Sequence, residues 1–262
     1  MRDAEYLRPG SAADAVAAFQ GDTAYLAGGH TLIPAMKARL RAPDRLVDLS
    51  NVPGLDGIAR EGDRLWIGAM ARHATVHESA VARQAIPGLA KLAGGIGDPA
   101  VRARGTIGGS VANNDPSADY PAAVLALDGI IQTDRASHAA DDFFQGMFTT
   151  ALQDGELITR IGFRVPTASA YAKFRHPASR YALAGVYVAR FAEGVRVAVT
   201  GACYSVTRWP AAEAALAANF GVGAVAGLTL DSDELNSDIH ASVEYRAHLA
   251  GVMLRQAVGE IA

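Results

Sequence analysis

The stretch Thr23–Leu40, TAYLAGGHTLIPAMKARL, sets two glycines between a strand-like run and an apolar run with helical spacing. A second stretch, Arg102–Pro121, RARGTIGGSVANNDPSADYP, carries another Gly-Gly pair in a similarly sparse setting. Both turns give up side chains where a helix is about to start. Consecutive N–H groups there form a concave donor surface suited to an anion, and a closely approaching phosphate tolerates no Cβ. The first turn offers the N–H groups of Gly28, Gly29, His30, Thr31 and Leu32, and the second those of Ile107, Gly108, Gly109 and Ser110. Two such surfaces from distant segments suit a pyrophosphate better than a single phosphate. The competing reading is two ordinary turns in a chain with 27 glycines. Behind the second turn, Asn113, Asn114, Asp115, Ser117 and Asp119 fit either an Asx-rich loop capping the next helix or acceptors for ribose or ribityl hydroxyls. Neither pair matches GxGxxG or the Walker pattern, which disfavours a Rossmann nicotinamide site or a P-loop.

Composition narrows the classes. With 262 residues, half of them hydrophobic, the chain can bury a core for one large or two moderate domains. A net charge of −3 gives no basic face for nucleic acid. No apolar run approaches the ~20 residues of a bilayer span, and MRDAEYLRPG lacks a signal-peptide core, so the expected location is cytoplasmic. The single cysteine, Cys203, cannot form an internal disulfide or hold an iron–sulfur cluster, which needs about four thiolates. His73 and His77 share i, i+4 spacing, but no third ligand accompanies them, and the expectation is a solvated face or local cap, not a metal site. No Ser/His/Asp order suggests a triad, and no catalytic residue is assigned.

The first half alternates short strands and helices. Ser11 caps a helix ending before Gly21, Thr31 is expected to cap LIPAMKARL, and a hairpin turns at Glu61-Gly62-Asp63. TVHESAVARQ and IPGLAKLAGG read as helices. The second half is a run of strands, then RWPAAEAALAANF and a long final helix, SDIHASVEYRAHLAGVMLRQAV, whose buried side should include Ile239, Val243, Leu249, Val252, Met253 and Val258. Strands in a run and helices in a run argue for an α+β fold, with a domain boundary near Pro166–Ala170.

Four ordered segments, YLAGGHTLIPAMKARL, VRARGTIGGSVANNDPSADYPAAVLALD, AYAKFRHPASRYALAGVYVA and NSDIHASVEYRAHLAGVMLRQAV, resemble the FAD-binding medium subunits of the molybdenum hydroxylases, carbon monoxide dehydrogenase and its close relatives among them. The resemblance covers nearly the whole chain. It implies a two-lobed FAD-binding fold of the vanillyl-alcohol-oxidase/para-cresol-methylhydroxylase type over residues 1–166, with lobes of about 1–52 and 53–166. A smaller C-terminal sheet-and-helix domain would follow over 167–262. It puts Ala27, Gly28, Gly29, His30, Thr31 and Leu32 on the FAD pyrophosphate and near the isoalloxazine. Thr106, Ile107, Gly108, Gly109 and Ser110 fall on the second phosphate segment. Asn113, Asp115 and Asp119 join the site, with Asp119 holding the sugar-like chain; Ile158 meets flavin or adenine through its backbone. Lys173 falls near the ring, where a cation stabilises the N1–C2=O edge of a reduced flavin; the competing reading is a surface lysine at a strand end. Double replacement of Gly28 and Gly108 by Val should abolish FAD retention and leave the fold largely intact.

The chain departs from the family at Arg180, where many members carry Asp, and has Thr31 where many carry Ser; the loop around Cys203 and Tyr204 receives no role. The resemblance further implies a large subunit with a molybdenum–cytopterin cofactor and a small subunit with two [2Fe-2S] clusters, assembled as a dimer of heterotrimers. In that assembly this chain would relay electrons from the clusters to an acceptor such as a quinone. A self-contained flavin oxidase or dehydrogenase of the same fold, and a nucleotide-binding module without redox function, are the other readings.

Overall fold

The structure is a computed structural model that describes residues 3–230 and 235–262. Near the N-terminus three short strands form a parallel sheet in the order Glu5–Leu7, Arg45–Asp48, Thr23–Leu26. Parallel neighbours need a crossover, and the segment carrying the helix Leu32–Lys37 makes it between Thr23–Leu26 and Arg45–Asp48, while the helix Ala12–Ala18 joins the first strand to Thr23–Leu26. Ser11 accepts from the Asp14 N–H at 3.1 Å, the expected cap. A small apolar cluster of Ala15, Val47, Leu49, Val52, Leu55 and Leu157 holds this sheet together. On its far edge the Tyr6 hydroxyl donates to Asp48.

The second sheet is antiparallel, in the order Ile58–Glu61, Arg64–Gly68, Ile158–Arg164, Ile130–Thr133, Ser137–Ala139. Gly62, at φ +62°, makes the expected hairpin turn. Between Gly68 and Ile130 the chain forms a helical layer. TVHESAVARQ gives two helices, His73–Glu78 and Ala80–Ala85, instead of one. Ser79 breaks it, because its hydroxyl caps the Ala82 N–H and so starts a new helix.

The third sheet, Ala168–Arg175, Ala182–Phe191, Gly194–Thr200 and Thr207–Arg208, is an antiparallel meander. Its strands alternate between two cores. Tyr171, Tyr187, Ala189 and Ala198 join the large core of the second sheet and its helices, whereas Ala170, Ala172, Val186, Val188, Val197 and Val199 face the helices Pro210–Ala218 and Val243–Gly259. The period-2 pattern of a strand buried on both faces produces this split.

The final helix starts later than its sequence suggests. Ser242 accepts from the Tyr245 N–H, and Asp238 takes the N–H groups of His240 and Ala241, so the turn ahead of Val243 is an Asx turn. Ile239 is therefore 95% exposed, not on the buried side, while Leu249, Met253 and Val258 are buried as expected.

Candidate functional site

A cavity of about 730 Å³ lies among the parallel sheet, the helical layer and the start of the third sheet. Its size falls in the range of small-molecule and cofactor sites. Both glycine turns line it: Ala27, Gly28, Gly29, His30, Thr31 and Leu32 from the first, and Thr106, Gly108, Gly109 and Ser110 from the second. Asn113, Asp115, Asp119 and Ile158 line it too, while Ile107 and Lys173 stand behind the wall.

The turns differ in their donors. Among the described residues nothing accepts from the N–H groups of Gly28, Gly29, His30 and Thr31. The helix that follows, Leu32–Lys37, also has no side-chain cap, because Thr31 sits in the αR region with no bond from its hydroxyl to the helix. That corrects the expectation for Thr31, which lines the cavity without capping the helix. The helix of the second turn, Ile107–Asn113, uses every leading donor. Ile107 N–H donates to the Ala71 carbonyl at 3.0 Å, Gly108 N–H to Ala69 at 2.8 Å, and Gly109 N–H to Thr106 Oγ1 at 3.2 Å. Ser110 N–H closes the first helical turn on the Thr106 carbonyl. The second turn is thus not a set of free N–H groups, and its lining residues Thr106 and Ser110 carry hydroxyls.

Sterics explain the glycines. A Cβ on Gly28 would collide with the backbone of Arg104 and Gly105, and one on Gly108 would lie 2.5 Å from Ala69 Cβ. Each glycine lets one piece of backbone press on another. Valine at either position would clash with that backbone, so the double replacement, expected from sequence to spare the fold, should destabilise it. Gly29 is a glycine for another reason, its φ of +72°.

Behind the wall sits a buried polar cluster. Lys173 Nζ lies 2.8 Å from Asp119 Oδ1, with both side chains about 5% exposed or less. Tyr171 donates to the same carboxylate at 2.5 Å. The reading of Lys173 as a surface lysine is overturned, and Asp119, still on the cavity surface, is already held by two donors. Burial, then the Asp119 charge, pushes the Tyr171 hydroxyl pKa well up, so it stays a donor. Burial also raises the Asp115 carboxyl, partly offset by the Ser117 N–H that it accepts at 2.9 Å.

The sequence missed several wall residues. His73, expected on a solvated face or as a local cap, is 5% exposed, donates its backbone N–H to the Gly105 carbonyl and packs its ring against Gly105. Burial, then the positive potential of His30 and Arg102, lowers its pKa to about 4 and keeps it neutral. His77 is a helix clasp, its Nδ1 2.9 Å from the Ala90 carbonyl. Among the described residues there is no group of three or more potential metal ligands. Glu156 lines the cavity with its carboxylate bound by Thr133, His138 and the Gln153 N–H; burial alone would raise its pKa, but these donors hold it below the usual range. Ser179, Arg180 and Tyr181 complete the wall from the loop after the first strand of the third sheet. Only an i, i+4 pair and an Arg departing from pattern marked these positions in the sequence.

Residues 2–168 match the model of the FAD binding domain in molybdopterin dehydrogenase. The chain belongs to that family. It is 36% identical to the carbon monoxide dehydrogenase medium chain of Afipia carboxidovorans, over 97% of this chain and 95% of that one. It is 34% identical to the nicotine 6-hydroxylase medium subunit of Paenarthrobacter nicotinovorans, over 97% and 96%. The fold superposes on carbon monoxide dehydrogenase from Hydrogenophaga pseudoflava with a TM-score of 0.88 at 32% identity, covering 98% of this chain and 96% of that one. Against quinoline 2-oxidoreductase from Pseudomonas putida 86 the TM-score is also 0.88, at 26% identity. The α+β, FAD-binding expectation holds, and the chain is an FAD-binding oxidoreductase subunit of the medium type. Among the described residues no helix is long and apolar enough to cross a membrane.

Proposed function

We propose that this chain holds FAD in the 730 Å³ cavity and relays electrons from iron–sulfur clusters of a small partner subunit to an external acceptor. The free N–H groups of Gly28, Gly29, His30 and Thr31 carry the reading: an unsatisfied donor row beside a cavity of cofactor size is a ready anion site. They would take the pyrophosphate, with Ala27 and Leu32 flanking. Thr106 and Ser110 would add hydroxyl donors, and Gly109 close approach; Ile107 and Gly108 would fix the frame. Asn113, Asp115 and Asp119 would face the sugar-like chain, and Ile158 would line the ring or adenine. Lys173 would act through Asp119, its charge placed behind the wall and not on it.

FAD supplies a centre that accepts electrons singly or in pairs. The protein's part is to bind it, orient it and keep water from its inner face. A single cysteine and no described metal-ligand cluster leave cluster binding to another chain. Relatives named as medium chains of dehydrogenases and hydroxylases support a large molybdenum–cytopterin subunit and a small subunit with two [2Fe-2S] clusters. We place the assembly, a dimer of heterotrimers, in the cytoplasm. The test is an absorption spectrum of the complex purified through a tag on this chain. Flavin bands with iron–sulfur absorbance and two further subunits are expected; a colourless chain would contradict the reading.

A further inference from the structure

Arg180 lines the cavity, yet the site as described gives it no task. Its backbone lies in the left-handed region, φ +64°, which a long non-glycine residue enters only where the surroundings hold it. Here they do. Between the strands Ala168–Arg175 and Ala182–Phe191 the loop closes on itself: the His176 N–H donates to the Tyr181 carbonyl at 2.8 Å, and the Arg180 N–H to the His176 carbonyl at 2.9 Å. His176 Nδ1 accepts from the N–H groups of Ala178 and Ser179 at 3.2 and 3.1 Å. These bonds fix where Arg180 and Tyr181 leave the chain, and none of them uses the Arg180 guanidinium.

The charges around the cavity single that guanidinium out. Arg41, the other arginine on the lining, is spent on Asp22 at 2.6 Å. Lys173, behind the wall, is spent on Asp119. Arg180 has no ion pair, side-chain hydrogen bond or ring contact among the described residues. Its charge acts on Asp98, a carboxyl held low chiefly by the Val101 N–H, beside the Ile96 and Gly97 part of the wall. Its neighbour Tyr181 stands near Asp115 and Asp119, whose charges, after burial, raise the Tyr181 hydroxyl pKa.

The lining offers two tyrosines, Tyr25 and Tyr181, for the two flat ring systems of FAD. The two ends differ in charge. Asp134, Arg135 and Asp154 act on Tyr25, with Glu156 on the wall, and their sum is acidic. At Tyr181 stands the unspent arginine. Adenine is neutral in both redox states, whereas the isoalloxazine ring, on taking up two electrons and one proton, carries one negative charge. That charge is favoured where a cation has no other partner.

We infer that the Arg180 guanidinium takes the negative charge of the reduced isoalloxazine ring and so raises the reduction potential of the flavin in this chain. The inference rests on the proposed FAD site and deepens it. Arg180 sets how readily the flavin accepts electrons, while the first glycine turn serves the phosphates, whose charge is the same in both states. Lys173, neutralised by Asp119, leaves this task to Arg180.

The experiment is a spectroelectrochemical titration of the flavin in the purified complex, for wild type, Arg180→Gln and Arg180→Lys, with FAD content measured on the same samples. Arg180→Gln is expected to keep its FAD and to hold the reduced ring tenfold more weakly relative to the oxidised one, a fall in midpoint potential of about 30 mV for a two-electron couple. Arg180→Lys, which keeps the charge, should recover most of that fall. Because Arg180 is exposed, ~1 M salt should shrink the difference between wild type and Arg180→Gln. An Arg180→Gln flavin at the wild-type potential overturns the proposal, and so does complete loss of FAD from that variant, which would put the guanidinium on the phosphates. An equal fall in Arg180→Lys also overturns it, since the shape of the loop and not its charge would then set the potential. A wild-type complex without FAD overturns the cofactor reading itself.

Discussion

At the first glycine turn the N–H groups from Gly28 to Thr31 have no acceptor among the described residues; at the second, Ile107 to Ser110 have all found one. The sequences are close to interchangeable, a Gly-Gly pair with a hydroxyl residue nearby, yet Thr106 caps its helix and Thr31 caps nothing. The difference lies in what surrounds them. The second turn is pressed onto Ala69 and Ala71, whose carbonyls supply acceptors, whereas the first, pressed at Gly28 onto the backbone of Arg104 and Gly105, finds no acceptor for its N–H groups among the described residues. A glycine pair thus identifies backbone under close approach, and only the surroundings say whether its N–H groups are spent on protein.

The rigid side of the comparison is broken most severely from behind. Lys173→Met leaves the buried Asp119 carboxylate with Tyr171 alone, and should cost about 3–5 kcal/mol in urea denaturation. Adding Asp119→Asn should restore part of it. A cost under about 1 kcal/mol would mean that the pair is solvated.

His73, wedged between Tyr120 and Gly105 where the two turns meet, sharpens the comparison through pH. Its folded pKa of about 4 lies below the ordinary histidine value of 6.5. Between those values the unfolded chain binds a proton that the folded chain does not, so stability falls as pH drops through that window. The loss amounts to about 3 kcal/mol at the acid end. His73→Phe, which keeps a ring, should flatten the slope between pH 6.5 and 4.

Within the second turn, Gly108→Ala puts a Cβ against Ala69 and should cost about 1–3 kcal/mol. Gly109→Ala, whose nearest neighbour would be Thr106 Oγ1 at 3.0 Å, should cost less, since alanine's helix propensity offsets the tighter contact. The smallest effects separate the two threonines. Thr106→Val removes a cap and should cost about 1 kcal/mol. Thr31→Val removes none, and thermal unfolding should place it within about 0.5 kcal/mol of wild type.

Much of the fold was readable from pattern. The Ser11 cap, the Gly62 hairpin and the meander from Ala168 to Thr200 follow from local chemistry that the tertiary structure does not override. The late start of the final helix was not, because Asp238 and Ser242 compete as turn formers with the helical period that includes Ile239. The cavity was half readable. Its glycine turns announce themselves, but His73, Glu156 and Tyr181 reach it from elements distant in sequence, and nothing local marks a residue whose role is set by what folds against it. Lys173 shows the same limit: its charge was visible, its burial against Asp119 was not.

The most direct test of the contrast between the turns is amide hydrogen exchange, resolved by residue, with and without saturating FAD. The account predicts fast exchange at Gly28, Gly29, His30 and Thr31 in the apo chain and strong protection when FAD is added, with Ile107 to Ser110 protected in both states. Unchanged fast exchange at the first turn under saturating FAD would contradict it.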